Sequence, residues 1–169
     1  SYFPINQTFE TDSVGVASIS NLNNGDIFCN NNAPFTLYPS LTGPGGVFVG
    51  PMTGTNLFDP SKGIGYTSVI FTYTHTNSAG CFSKVRVPIR INPAPIVSFK
   101  PIDVCVVSNT DTIRFSNKTI SADAVSTWLW EFFDAGGSTT TGSKNPGYLY
   151  KIGGDHKVTL KATTIKDCS

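Results

Sequence analysis

Residues 128–141, "WLWEFFDAGGSTTT", decide how this chain is read. Read as a strand, the segment puts Trp128, Trp130 and Phe132 on one face and Leu129, Glu131 and Phe133 on the other, because successive side chains alternate across a strand. Three aromatic residues in register make a core face. Asp134-Ala135-Gly136-Gly137 then supplies a turn: glycine tolerates positive φ, and aspartate bonds its own nearby backbone. The segment is therefore a core strand and its turn. It speaks to fold more than to activity.

The same period-two pattern recurs on either side. "SVIFTYTHT" (68–76) alternates Val69, Phe71 and Tyr73 against Thr72 and Thr74. "KVRVPIRI" (84–91) sets Val85, Val87, Ile89 and Ile91 against Lys84, Arg86 and Arg90. "DTIRFSN" (111–117) and "HKVTLKA" (156–162) repeat it with Ile113/Phe115 and Val158/Leu160/Ala162. Such runs bounded by Gly, Pro and Asn are half-buried strands, and no long segment holds a helical period. Pro88 lacks a ladder donor, which predicts an edge strand or a bulge there. The chain is expected to be all-β.

Composition agrees. Charged residues are 14% of the 169, against about 25% in an average domain, and 20 Thr and 17 Ser serve as the polar set. The net charge of +1 gives no footprint for nucleic acid or an anionic membrane. No apolar run approaches the roughly 20 residues needed to span a bilayer. With no initiating Met and no signal peptide, the chain reads as a segment of a longer, already processed protein.

"NPAPIVSFKP" (92–101) carries three prolines and reads as a short, semi-rigid joint. It divides the chain into 1–94 and 95–169, each a length that suits an immunoglobulin-like sandwich. The four cysteines, Cys29, Cys81, Cys105 and Cys168, lie far apart without a CxxC pair, as disulfides of an oxidising compartment do. Three connectivities are open. The domain division selects Cys29–Cys81 and Cys105–Cys168.

Two resemblances sharpen this reading. "WEFFDAGGSTT…KNPGYLYKIGGDHKVTLKATT…C" resembles the polycystic-kidney-disease (PKD) repeat, an Ig-like β-sandwich, through Trp130, Phe132, Asp134, Asn145, Pro146, Tyr150, Gly154, Val158 and Leu160. Phe133 and Tyr148 stand where that family has Gly and His. Residues 21–94 resemble Ig-like repeats of very large secreted surface proteins of Bacteroidetes, through Gly45, Gly46, Phe48, Gly50, Phe58, Pro60, Gly65, Tyr73, Gly80 and Cys81. Residues 1–20 match neither. An Ig-like repeat followed by a PKD-like module resembles the gliding-motility (SprB-type) adhesins of that phylum. The resemblance implies two tandem sandwich domains in a non-catalytic spacer segment, exported by the type IX system to the cell surface. Its partners would be neighbouring repeats of the same chain and surface polysaccharide. A carbohydrate-binding module and a self-associating, filament-forming repeat are the alternatives.

Candidate chemistry is sparse. Calcium takes six to eight oxygens, and Glu131, Asp134 and the Ser138–Thr141 hydroxyls are local candidates. Glu131 lies on the face away from Trp130 and no DxDxD cluster exists, so Asp134 reads as a turn residue and no metal or cofactor is expected. The glycine-rich segments lack the Lys and helix of a P-loop. His75 and His156 have no GxSxG partner, and catalysis is not expected. Trp128 and Tyr148 are candidate stacking surfaces for a glycan. Ser13 and Thr112 sit in Asp-Ser/Thr-apolar patterns, candidate O-glycosylation sites by the resemblance; such pairs, like the two Asn-x-Thr matches, also arise by chance at this composition.

Overall fold

The computed structural model describes residues 15–41, 45–74, 81–102 and 112–169, with backbone alone at Tyr66 and Thr74. The fold is almost entirely β, in several sheets. The chain forms two compact units: Ser1–Phe28 with Asn32–Ile91, and Cys29–Asn31 with Asn92–Ser169.

The first unit is built on a four-stranded sheet of β1 (Ile27–Cys29), β6 (Phe82–Asn92), β5 (Gly65–Thr74) and β3 (Gly46–Val49), in that order. A second ribbon pairs β2 (Phe35–Thr36) with β4 (Leu57–Phe58). The alternation read from sequence sets the faces: Val69, Phe71, Val87, Ile89 and Ile91 are buried, and Tyr73 and Val85 pack against them. Leu37 and Phe58 close the core from the ribbon side, with Phe28 and Phe35 ringing Phe58 at centroid distances of 5.0 and 5.1 Å.

Pro88 does not lie on an edge strand. β6 is interior, and Pro88 stands opposite Ser68 of β5. Its carbonyl accepts from Gly25 N, two residues before the three-residue β1 begins. The missing N–H thus falls where the neighbouring ladder has not started, and the cost of a central proline is avoided.

After β4, the one-turn 3₁₀ helix Pro60–Lys62 is capped by Asp59, whose carboxylate accepts from Ser61 N and Oγ and from Thr53 Oγ1. These bonds, the Ser61 hydroxyl foremost, hold its pKa below 3.8.

The second unit has two three-stranded sheets. One orders β10 (Gly137–Thr141), β9 (Val125–Asp134) and β12 (Val158–Thr164); the other orders β11 (Gly147–Tyr148), β8 (Ile113–Asn117) and β7 (Phe99–Pro101). Part of the proline-rich stretch expected as a joint is therefore structured: Ile96 bridges Ile120 and Phe99–Pro101 forms β7. Phe115 from one sheet meets Trp130 and Phe132 from the other, the latter two almost fully buried, in a sandwich-like core. Phe99 meets Trp130 edge-on at 4.9 Å, and Phe115 lies 5.2 Å from Phe132. Aromatic pairs in such geometry add about 0.5–1.5 kcal/mol each beyond burial. On the outer face Leu129 is exposed and Lys157 Nζ lies 4.7 Å over the Phe133 ring.

Candidate functional site: a hydroxyl-lined groove and a covalent tie

The turn that ends β9 is a two-residue hairpin, with Gly137 opposite Asp134. Gly136 and Gly137 have φ of 95° and 141°, which other residues rarely adopt. Asp134 locks the corner: one carboxylate oxygen accepts from Ala135 N at 2.7 Å, the other from Lys151 N at 2.8 Å. The Lys151 amide is the main cause holding its pKa below 3.8. Both oxygens serve the backbone. Glu131 faces away from the core and accepts from Ser138 Oγ at 2.7 Å. Among the described residues no group of three or more His, Cys, Asp or Glu could hold a metal ion.

Past the hairpin, register and edge position together make a groove. Thr139 and Thr141 stand opposite Phe132 and Trp130, so their side chains share the core-side face of the sheet. Yet β10 is an edge strand, and Gly137–Thr140 are exposed. The facing β11 is two residues long, extended by Pro146 O accepting from Phe115 N. What remains open is a groove of about 310 Å³ with Phe132 at its floor, threonines on one wall and Asn145–Tyr148 on the other.

The walls are fixed. Asn145 Oδ1 accepts from Asn117 N at 2.9 Å. Tyr148 stacks on Phe132 at 4.7 Å, 11° from parallel, and meets Tyr150 edge-on at 4.7 Å. A side chain at Gly147 would place its Cβ 2.6 Å from Thr112 Cγ2. Behind them, Tyr150 stacks on His156 at 3.8 Å, and burial first, then Tyr148 and Asp134, pushes its hydroxyl up to about 12.

Of the two candidate stacking residues, the structure brings only Tyr148 to the groove. Trp128 is half-buried against the core, opposite Ala162 of β12. His156 Nε2 lies 3.0 Å from Ile152 O, engaged in the loop. Thr112 is exposed beside Gly147; Ser13, His75 and Cys105 lie outside the described residues. Thr139, read from sequence only as one of the Ser138–Thr141 calcium candidates, and Asn145, read only as a motif match, come together as groove residues through register and edge position.

The cysteine pairing departs from expectation. Cys29 bonds Cys168, across 139 residues, at a Cα separation of 5.5 Å, well inside disulfide range. Neither Cys29–Cys81 nor Cys105–Cys168 is formed, and Cys81 is a free, partly exposed thiol. The reason is local: Cys29–Asn31 belong with the second unit, not with the stretch around them. Asn30 N donates to Asn92 O, Asn30 Oδ1 accepts from Ala94 N, and Asn31 Nδ2 donates to Ser169 O. At the other end a tight turn follows β12. Buried Thr164 donates its N–H to Cys168 O, its hydroxyl accepts from Cys168 N, and Asp167 takes φ of 59°. That turn folds Cys168 inward to full burial.

No protein-family model matches the chain, and no curated protein sequence matches it significantly.

Proposed function

We propose that this chain is a non-catalytic structural segment of a large extracellular surface protein, an adhesin of the gliding-motility (SprB) type. In this reading Ig-like and PKD-like sandwich modules follow one another as spacers, with neighbouring repeats of the same chain as partners and surface polysaccharide as the outer contact. The motif order supports the resemblance, and the two β units, the second sandwich-like, suit it. The observation that carries the proposal is the Cys29–Cys168 bond, because disulfides form and persist in oxidising compartments. A surface rich in Ser and Thr with a net charge of +1 suits a stalk with no charged partner to attract. Among the described residues no helix is long and apolar enough to cross a membrane.

The test is non-reducing peptide mapping of protein collected from the surface or medium of cells that make it. A Cys29–Cys168 peptide is expected, and the same spectra would show a glycan on Ser13 or Thr112. Recovery of both cysteines as free thiols in cell-associated, unexported protein would overturn the extracellular reading.

A further inference from the structure

We propose that the groove between β10 and β11 binds a neutral, hydroxyl-rich ligand, of the class of uncharged saccharides. The inference deepens the polysaccharide contact of the proposed function by giving it a site and a ligand class, and is argued from the groove alone. Sugar rings present two kinds of surface at once: apolar C–H faces, and rims of hydroxyls that donate and accept. The groove offers the complement of each. Its floor is aromatic: half-buried Tyr148 lies parallel over the buried Phe132 ring at 4.7 Å, so the apolar surface a sugar would meet is chiefly that of Tyr148. Its walls are polar, and among the described residues the hydroxyls of Thr139 and Tyr148 and the Nδ2 of Asn145 have no hydrogen-bond partner. A threonine hydroxyl both donates and accepts, and the amide nitrogen carries two further donors, so the set matches a ligand that does both.

Charge narrows the class. Among the described residues none lining the groove is ionisable at neutral pH, and the nearby Glu131 is turned to the other face of the sheet. Within that lining an anionic ligand would meet no cation and a cationic one no carboxylate, Lys144 and Arg114 flanking the groove without lining it. The volume of about 310 Å³ lies at the lower end of the roughly 300–1,000 Å³ of small-ligand sites. The polar groups are also held before any ligand arrives: Thr139 by the ladder to Phe132, Asn145 by the bond from Asn117, Tyr148 by its stack. Such preorganisation lowers the ordering cost of binding.

The experiment is ¹H–¹⁵N NMR of the whole chain titrated with millimolar neutral oligosaccharides: gluco-, manno- and galacto-oligosaccharides, with alginate oligosaccharides as the anionic comparison. The expected result is a fast-exchange shift with at least one neutral series, confined to residues 139–148 and the Asn145 side-chain amide. Thr139→Val keeps shape at an exposed site and removes one hydroxyl; it should weaken binding about fivefold. Thr139→Arg should abolish binding while leaving the spectrum of the rest of the second unit unchanged. Absence of any shift with the neutral series overturns the proposal, as does binding of alginate alone. So does an unchanged affinity in Thr139→Arg. A synthetic extended peptide that shifts the β10 amides where no saccharide does would reassign the edge to strand addition, also against the proposal. None of these outcomes touches the Cys29–Cys168 mapping, so the spacer reading stands or falls separately.

Discussion

The two units solve one problem by different means. The first buries aliphatic residues from long strands, Val69, Val87, Ile89 and Ile91, together with Phe71, Leu37 and Phe58. The second has a small buried cluster, Phe115, Trp130, Phe132 and Tyr150, every member aromatic. Two polar atoms of that cluster, Trp130 Nε1 and Tyr150 Oη, are also buried without a partner among the described residues. Small cores supply little net stability, and domains of this size often recruit a covalent staple. Here the staple is Cys29–Cys168, both ends of which belong to the second unit. The comparison teaches that the disulfide goes with the weaker core.

The sharpest way to break that comparison is to remove the bond. Closing a loop of this length removes about 5 kcal/mol of chain entropy from the unfolded state in the loop-entropy model, and native bonds typically give about 2–5. Cys29→Ser with Cys168→Ser should therefore collapse hydrogen-exchange protection in β8, β9 and β12 while β5 and β6 keep theirs. Equal loss in both units would show that their stabilities are not separate.

Core truncation comes next. Trp130→Ala and Phe58→Ala should each cost about 3–5 kcal/mol. The same loss should unfold the second unit and only weaken the first, read by limited proteolysis of each.

Backbone constraint distinguishes the units further. Gly50 has φ of 146°, and a Cβ there would sit 2.8 Å from Ser68 O, a backbone atom. Gly50→Ala should lower stability by about 1–3 kcal/mol. Gly147→Ala meets only the methyl of exposed Thr112 and should cost less than about 1 kcal/mol, since the methyl can swing aside. Equal melting temperatures for the two variants would contradict this.

Tyr150→Phe removes a buried hydroxyl that bonds nothing among the described residues and keeps the ring. It should be neutral or stabilising by up to about 1 kcal/mol. The folded pKa of about 12 lies above the ordinary 10, so the neutral phenol contributes stability below pH 10 that is lost as pH rises towards 12. Tyr150→Phe should accordingly resist alkaline unfolding better than the parent.

The smallest effects are the turn carboxylates, one per unit. Asp59 and Asp134 both have folded pKa values below 3.8, so each contributes stability above that pH and loses it as pH falls through the lowered value. Melting temperatures of Asp59→Asn and Asp134→Asn should lie below the parent at neutral pH and converge on it below pH 3.8. A gap that persists in acid would show that hydrogen bonding, not charge, does the holding.

Much of the architecture was legible in the residues. Alternation placed Val69, Phe71, Val87, Ile89 and Ile91 inside, and "WLWEFFDAGG" declared both its core face and its turn. Pro88 was misleading, since a missing donor reads as an edge until one knows where the neighbouring strand ends. The disulfide was hidden for a related reason: sequence separation carries no information on which backbone segment Asn30 and Asn31 will bond. The groove was half-legible. Tyr148 stood out as an aromatic, but "GSTTT" says nothing of edge position, and Thr139 gains meaning only through its register with Phe132.

The disulfide also has a mechanical consequence. Tension applied at Ser1 and Ser169 would run along the backbone to residue 29, cross the sulfur–sulfur bond and leave through residue 168. Everything between those cysteines lies off the load path. At about 3.4 Å per extended residue, the 139-residue separation withholds roughly 470 Å of contour from stretching. Only the segment before Cys29 can yield. Under pull the oxidised chain should lengthen by that segment alone, and a reductant should release the enclosed contour as well.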